Sequence, residues 1–149
     1  MYFNEVITDQ EDDEAPVNRN LRFLIVDDEG FNLIAMEGIL NFKGFGNIKK
    51  AFDGIEALTV LRENDFNFDI VFTDFQMPHM NGVEFAQEVR KLQVEGVIKP
   101  ELQVILASGN NLPDDFCKYP IGNELRELFD LRLRKPFCLK DIAKVLGIE

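Results

Sequence analysis

Three short apolar runs, Leu24-Ile25-Val26, Ile70-Val71-Phe72 and Val104-Ile105-Leu106-Ala107, stand out along the chain. Continuous runs of this length belong to strands covered on both faces, so strands are predicted at Leu21–Val26, Ile70–Asp74 and Leu102–Ala107. A weaker strand is predicted at Ile48–Phe52, and Leu131 and Leu133 alternating with Arg132 and Arg134 suit an edge strand. Between the strands the apolar period lengthens to that of a helix. Leu33, Met36, Ile39 and Leu40 share one arc of a helix over Asn32–Phe42, with Gly44 as its stop. Helices are likewise predicted over Gly54–Arg62, burying Ile55, Leu58 and Leu61, and over Val83–Leu92, with Phe85, Ala86, Val89 and Leu92 inward. Asn110–Gly122 carries Pro113 and Pro120, which predict an irregular or shortened fourth helix before a helical Asn123–Phe129. Leu139, Ile142 and Leu146 mark a final helix.

Strand and helix thus alternate five times. That order predicts an α/β fold, (βα)5, with a doubly wound five-stranded parallel sheet and right-handed crossovers. The common strand order for such a sheet is 2-1-3-4-5, which makes the first and third strands neighbours at the switch point. Ligands sit beyond the strand carboxyl ends there. Residues 1–19 read as an acidic, disordered tail, because Glu11-Asp12-Asp13-Glu14 precedes Ala15-Pro16, and residues 20–149 read as one domain.

Composition narrows the partners. The 149-residue chain carries a formal net charge of -11, which argues against non-specific nucleic-acid or anionic-membrane binding. No apolar run reaches the length of a membrane span. The two cysteines, Cys117 and Cys138, lack metal-ligand spacing and read as reduced thiols in a cytoplasmic protein. The one histidine, His79, sits in a Met-Pro-His-Met-Asn-Gly turn and reads as a solvated loop residue. A histidine-based metal centre or a helical phosphohistidine donor has no material here.

The candidate chemistry is acidic. Asp27 and Asp28 end the first strong strand and Asp74 ends the second, so the strand order places them together. Two carboxylates about 4 Å apart repel by roughly 4 kcal/mol at an effective dielectric near 20. Three at one sheet edge therefore need protons or a cation, and oxygen ligands at a partly open site favour Mg2+. A carboxylate can also act as a nucleophile and form an aspartyl phosphate. Ser108 and Lys135 end two further strands, where a hydroxyl and an ammonium would complete such a site. Singly these features have plainer readings: Asp27-Asp28 would cap the following helix, Ser108 would be a turn residue and Lys135 a solvated strand end.

Residues 21 to about 147 resemble a response-regulator receiver domain. The stretches that carry the resemblance are Leu24-Ile25-Val26-Asp27-Asp28-Glu29, Asp69 through Gly82 with its Thr73-Asp74-Phe75-Gln76-Met77-Pro78 core, Ala107-Ser108-Gly109 and Arg134-Lys135-Pro136-Phe137. Asp53-Gly54-Ile55-Glu56-Ala57-Leu58 resembles the start of the family's second helix. The resemblance implies the flavodoxin-like receiver fold of two-component and phosphorelay signalling. It implies that Asp74 takes a phosphoryl group from the phosphohistidine of a histidine kinase or histidine phosphotransfer protein. Asp27, Asp28, Asp74 and the main-chain carbonyl of Gln76 would hold Mg2+, Lys135 would pair with the phosphate, and Ser108 would shift to hydrogen-bond it. Charge on Asp74 would then bias the 109–134 surface toward a partner.

One position departs from the family. An aromatic switch residue usually stands three positions before the lysine, and here that position is Arg132. Phe31, Ala35, Gly38 and Phe42 form a second stripe on the first helix. The plainer expectation is that the two phenylalanines plug core edges, the sharper one that the stripe docks a phosphotransfer partner. The chain ends after its last helix, so it is expected to act as a free-standing shuttle or as a receiver cut from a larger kinase, without turnover of an external substrate. A phosphatase of the dehalogenase type would want an acid where Gln76 stands. A nucleotide-binding module would want glycines where Asp27-Asp28-Glu29 stand. A receiver-like scaffold that never takes phosphate fits the fold, but leaves the Asp, Ser and Lys set without a use.

Overall fold

A computed structural model describes residues 17–109 and 127–148. The acidic tail to Pro16, the segment Asn110–Gly122, Cys117 and most of the helix expected at Asn123–Phe129 lie outside them. The elements are β1 (Arg22–Val26), α1 (Gly30–Phe42), β2 (Asn47–Ala51), α2 (Gly54–Glu63), β3 (Ile70–Thr73), α3 (Gly82–Val94), β4 (Gln103–Ser108), β5 (Leu131–Arg134) and α4 (Leu139–Leu146). Glu127 and Leu128 are also helical. All five strands are parallel, in the order β2-β1-β3-β4-β5, the expected doubly wound topology.

Side chains alternate across the sheet and feed two cores. Leu24, Val26, Val71, Val104 and Leu106 meet Ala57 and Leu61 of α2 and Phe85, Ala86 and Val89 of α3. Phe23, Ile25, Ile70, Phe72, Ile105 and Leu133 face Leu33, Met36 and Leu40 of α1 and Ile142 of α4. On that second face Phe23 meets the Phe45 ring edge-on at 5.1 Å and stacks on Phe72 at 6.2 Å. The central strands are apolar on both faces because helices cover both.

Two expectations about buried faces are corrected. In α2 the sheet-facing residues are Gly54, Ala57 and Leu61, while Ile55 is exposed. Phe31 and Phe42 plug nothing: they are 83% and 75% exposed. At about 100° per residue, Phe31 stands roughly 200° from Leu33, so the arc that buries Leu33, Met36 and Leu40 turns the stripe outward. Ala35 and Gly38 are exposed with it.

Candidate functional site

The sheet ladder itself carries the acids to one place. The amide of Asp27 donates to the carbonyl of Ala51 at 3.1 Å, and that of Asp74 to the carbonyl of Val26 at 2.9 Å. Strand pairing therefore continues one residue beyond β1 and β3, and sets the two carboxylates side by side at the switch point. One carboxylate oxygen from each of Asp27, Asp28 and Asp74 falls within 4.8 Å of the others. Asp27 is buried to 4% exposure, Asp74 is half-buried and Asp28 is exposed, so the cluster opens outward through Asp28.

Neither Asp27 nor Asp28 caps α1. The cap position is Glu29, whose side chain makes no capping bond. Asp27 Oδ1 instead accepts the Glu29 amide at 2.9 Å, and Oδ2 accepts Lys135 Nζ at 2.7 Å. Lys135 Nζ also stands 3.4 Å from Asp74 Oδ1, which accepts the Phe75 amide at 2.8 Å. The lysine reaches across from the end of β5, where its amide donates to the carbonyl of Ser108 at 2.7 Å. Serine and lysine are thus tied through the main chain, and the Lys135–Pro136 bond is cis.

Burial, the largest influence on Asp74, pushes its carboxyl upward; the Lys135 charge opposes and the Asp27 charge adds, leaving its pKa above the ordinary value. Burial pulls the Lys135 ammonium down, but the Asp27 hydrogen bond and the charges of Asp74 and Asp27 outweigh it, and its pKa lies above the usual lysine value. Three carboxylates and one ammonium leave two unbalanced negative charges within the group. An all-oxygen donor set with that imbalance fits a small divalent cation.

Ser108 closes β4, 1% exposed, and its Oγ finds no hydrogen-bond partner among the described residues. Buried hydroxyls are ordinarily paired, so this one stands open to a group outside the described residues. Gln76 lies exposed in the β3–α3 loop. Arg132 is half-buried in β5 opposite Leu106 of β4, away from the acids' own strands.

Two features of the β3–α3 loop escape a reading of the sequence. A Cβ at Gly82 would overlap the main-chain carbonyl oxygen of Asp74 and come within 3.2 Å of Phe75 Cα, so α3 starts against the loop after Asp74 only because residue 82 is glycine. His79 is exposed as expected, yet not free: its Nδ1 lies 3.1 Å from Asp53 Oδ2. Asp53 caps α2 by accepting the Glu56 amide at 2.8 Å, which, ahead of burial's opposing push and the His79 contact, holds its carboxyl below the usual range. The Asp53-x-x-Glu56 spacing before an apolar helix is a sequence signature of that cap; nothing in the sequence pairs it with His79.

The family model described as the response regulator receiver domain matches residues 23–123. The chain belongs to this family. Within the receiver family it is 39% identical over 77 residues to chemotaxis protein CheY-3 of Vibrio cholerae, covering 52% of this chain and 58% of that protein. It is 34% identical over 101 residues to histidine kinase 2 of Arabidopsis thaliana, covering 68% of this chain and 8% of the kinase. The chain thus spans little more than half of the first relative and a small part of the second. A response regulator receiver domain protein from Clostridium thermocellum superposes with a TM-score of 0.69 at 25% identity, covering 85% of this chain and 91% of that one. A CheY-like receiver protein from Methanospirillum hungatei gives a TM-score of 0.68 at 25% identity, over 86% and 91% of the two chains. Lys135 lies beyond the matched segment, and its place beside Asp27 and Asp74 rests on the structure. The chain is a receiver domain of two-component signalling. Among the described residues no helix is long and apolar enough to cross a membrane.

Proposed function

We propose that Asp74 accepts a phosphoryl group from the phosphohistidine of a histidine kinase or histidine phosphotransfer protein, in a Mg2+-dependent reaction, and that the charged site then alters the surface for a protein partner. The observation that carries this reading is the single lysine bridging Asp27 and Asp74 inside a three-carboxylate group at the switch point. A carboxylate oxygen of Asp74 attacks phosphorus as the P–N bond to the donor imidazole breaks, and that bond's electron pair returns to the ring nitrogen. Asp74 must be ionised to attack, and Lys135 at 3.4 Å favours the anion against the cost of burial. Mg2+, held by Asp27, Asp28, Asp74 and the main-chain carbonyl of Gln76, would neutralise charge on the phosphoryl oxygens. Lys135 already lies within reach of an oxygen added at Asp74 Oδ1. The Ser108 hydroxyl, without a partner among the described residues, would donate to the same group, drawing the end of β4 with it.

The exposed stripe Phe31, Ala35 and Phe42 on α1 supports helix-against-helix docking of the phosphodonor. Arg132, in place of the family's aromatic residue, would report phosphorylation by moving toward an acid or take part in partner contact. Residues 1–19 serve as a tail and 20–149 as the receiver, working in the cytoplasm without turnover of an external substrate.

The test is incubation with Mg2+ and acetyl phosphate followed by intact mass. A phosphate-sized gain is expected in the full chain and not in Asp74→Asn. No gain in the wild type, or an equal gain in the variant, defeats the assignment and leaves a scaffold that binds without phosphate. Phe31→Asp is expected to slow transfer from a phosphorylated partner while sparing labelling by acetyl phosphate.

A further inference from the structure

We propose that His79 is a positioning residue: latched to Asp53, it holds the loop after Asp74 in the shape that presents the Gln76 carbonyl to a divalent cation. The inference rests on the reading of the acid cluster given above and names a device that tunes it. The Met80 amide donates to the carbonyl of Pro78 at 2.7 Å, and His79 between them has a φ of 69°. A hydrogen bond spanning two residues about a positive φ is the rare and strained kind of γ-turn. Histidine is among the few non-glycine residues that occupy this region with any frequency.

Strained turns persist only where their surroundings over-determine them. Here α2 supplies the restraint. His79 Nδ1 lies 3.1 Å from Asp53 Oδ2, and the Gly54 amide donates to the carbonyl of Met80 at 3.2 Å. Asp53 is itself immobilised, because its other oxygen caps α2 through the Glu56 amide at 2.8 Å. Gly54 can carry no side chain, since a Cβ there would stand 2.9 Å from the Met80 carbonyl oxygen. At its far end the loop is clamped to its own start, where the Gly82 amide donates to the carbonyl of Phe75 at 2.8 Å. Gln76 lies exposed between the two clamps, so the course of the loop main chain sets where its carbonyl points. Loss of a group that orients a metal ligand without touching the metal typically costs about 10–100-fold in affinity.

The test is calorimetric titration of Mg2+ into the full chain, with the Mg2+ dependence of acetyl phosphate labelling measured beside it. His79→Gly keeps the positive φ without strain and removes the imidazole. Asp53→Asn keeps a good helix cap and weakens the pair. Each is expected to raise the half-saturating Mg2+ concentration about tenfold, the lower end of what loss of an orienting partner costs. The labelling rate at saturating Mg2+ is expected to hold, and the double variant to be no worse than the poorer single one. His79→Gln, with a donor on a longer stem, is expected to recover part of the loss. Lowered thermal midpoints with unchanged Mg2+ half-saturation in both single variants would show a merely structural contact and overturn the latch alone. Absence of Mg2+ binding by the wild type overturns the reading of the acid cluster and the latch with it.

Discussion

The loops that follow β1 and β3 sit side by side at the same sheet edge and are built on opposite principles. The first, Asp27-Asp28-Glu29, is short and all acid, and it starts α1 without a side-chain cap. The second is long and mostly uncharged. It starts α3 with a full capping box, in which Asn81 Oδ1 accepts the Glu84 amide at 2.8 Å and Glu84 Oε1 accepts the Asn81 amide at 3.1 Å. One loop supplies charge and forgoes local stability; the other supplies shape and secures it. Carboxylates at a helix start are good caps, yet here Asp27 gives one oxygen to Lys135 and the other only to the Glu29 amide ahead of the first turn. The difference teaches that the acids are grouped with one another and with Lys135 instead of capping the helix behind them.

The comparison breaks most visibly at Gly82. Gly82→Ala drives a methyl into the Asp74 carbonyl, so the shaped loop must shift or α3 must start late. A loss of about 3 kcal/mol or more is expected in urea melts, well above an ordinary surface Gly→Ala change. The charge of the site is probed by Asp74→Asn in metal-free buffer. A carboxyl whose folded pKa is raised binds protons more readily in the native state than in the unfolded one, so its ionisation costs stability as pH rises past the unfolded value. Asp74→Asn is therefore expected to be more stable than wild type near neutral pH, on the order of 1 kcal/mol. The gap should close as pH falls below the ordinary aspartate range, which melts at several pH values will report. The two helix starts give the smallest effects and the sharpest contrast. Asn81→Ala is expected to cost about 1 kcal/mol, whereas Glu29→Ala, which removes no capping bond, should stay within about 0.5 kcal/mol.

Legibility in the sequence follows the range of the interactions. Strands buried on both faces announce themselves by composition alone, so β1, β3 and β4 were readable, and with them the meeting of Asp27 and Asp74. Helical phase was less secure. α2 is short, and glycine and alanine at Gly54 and Ala57 face the sheet where the eye expects the larger Ile55. The stripe of Phe31 and Phe42 misleads in the opposite sense, because bulk and apolarity are taken for burial when the core arc of α1 is already full. Within the site, chemical type was legible and partnership was not. A carboxylate, a hydroxyl and an ammonium could be nominated one by one. That Lys135 chooses Asp27 first, across 108 positions, or that His79 turns through a positive φ to meet Asp53, depends on tertiary geometry that no local pattern encodes.

The hydroxyl at the end of β4, without a partner among the described residues, carries a thermodynamic consequence. A side chain whose bond is missing in one conformation and made in another weights the second by that bond's net worth, about 1 kcal/mol, or roughly fivefold in population. Ser108 would thus bias an equilibrium without itself doing chemistry. Its removal should leave the resting ensemble almost untouched and flatten only the response.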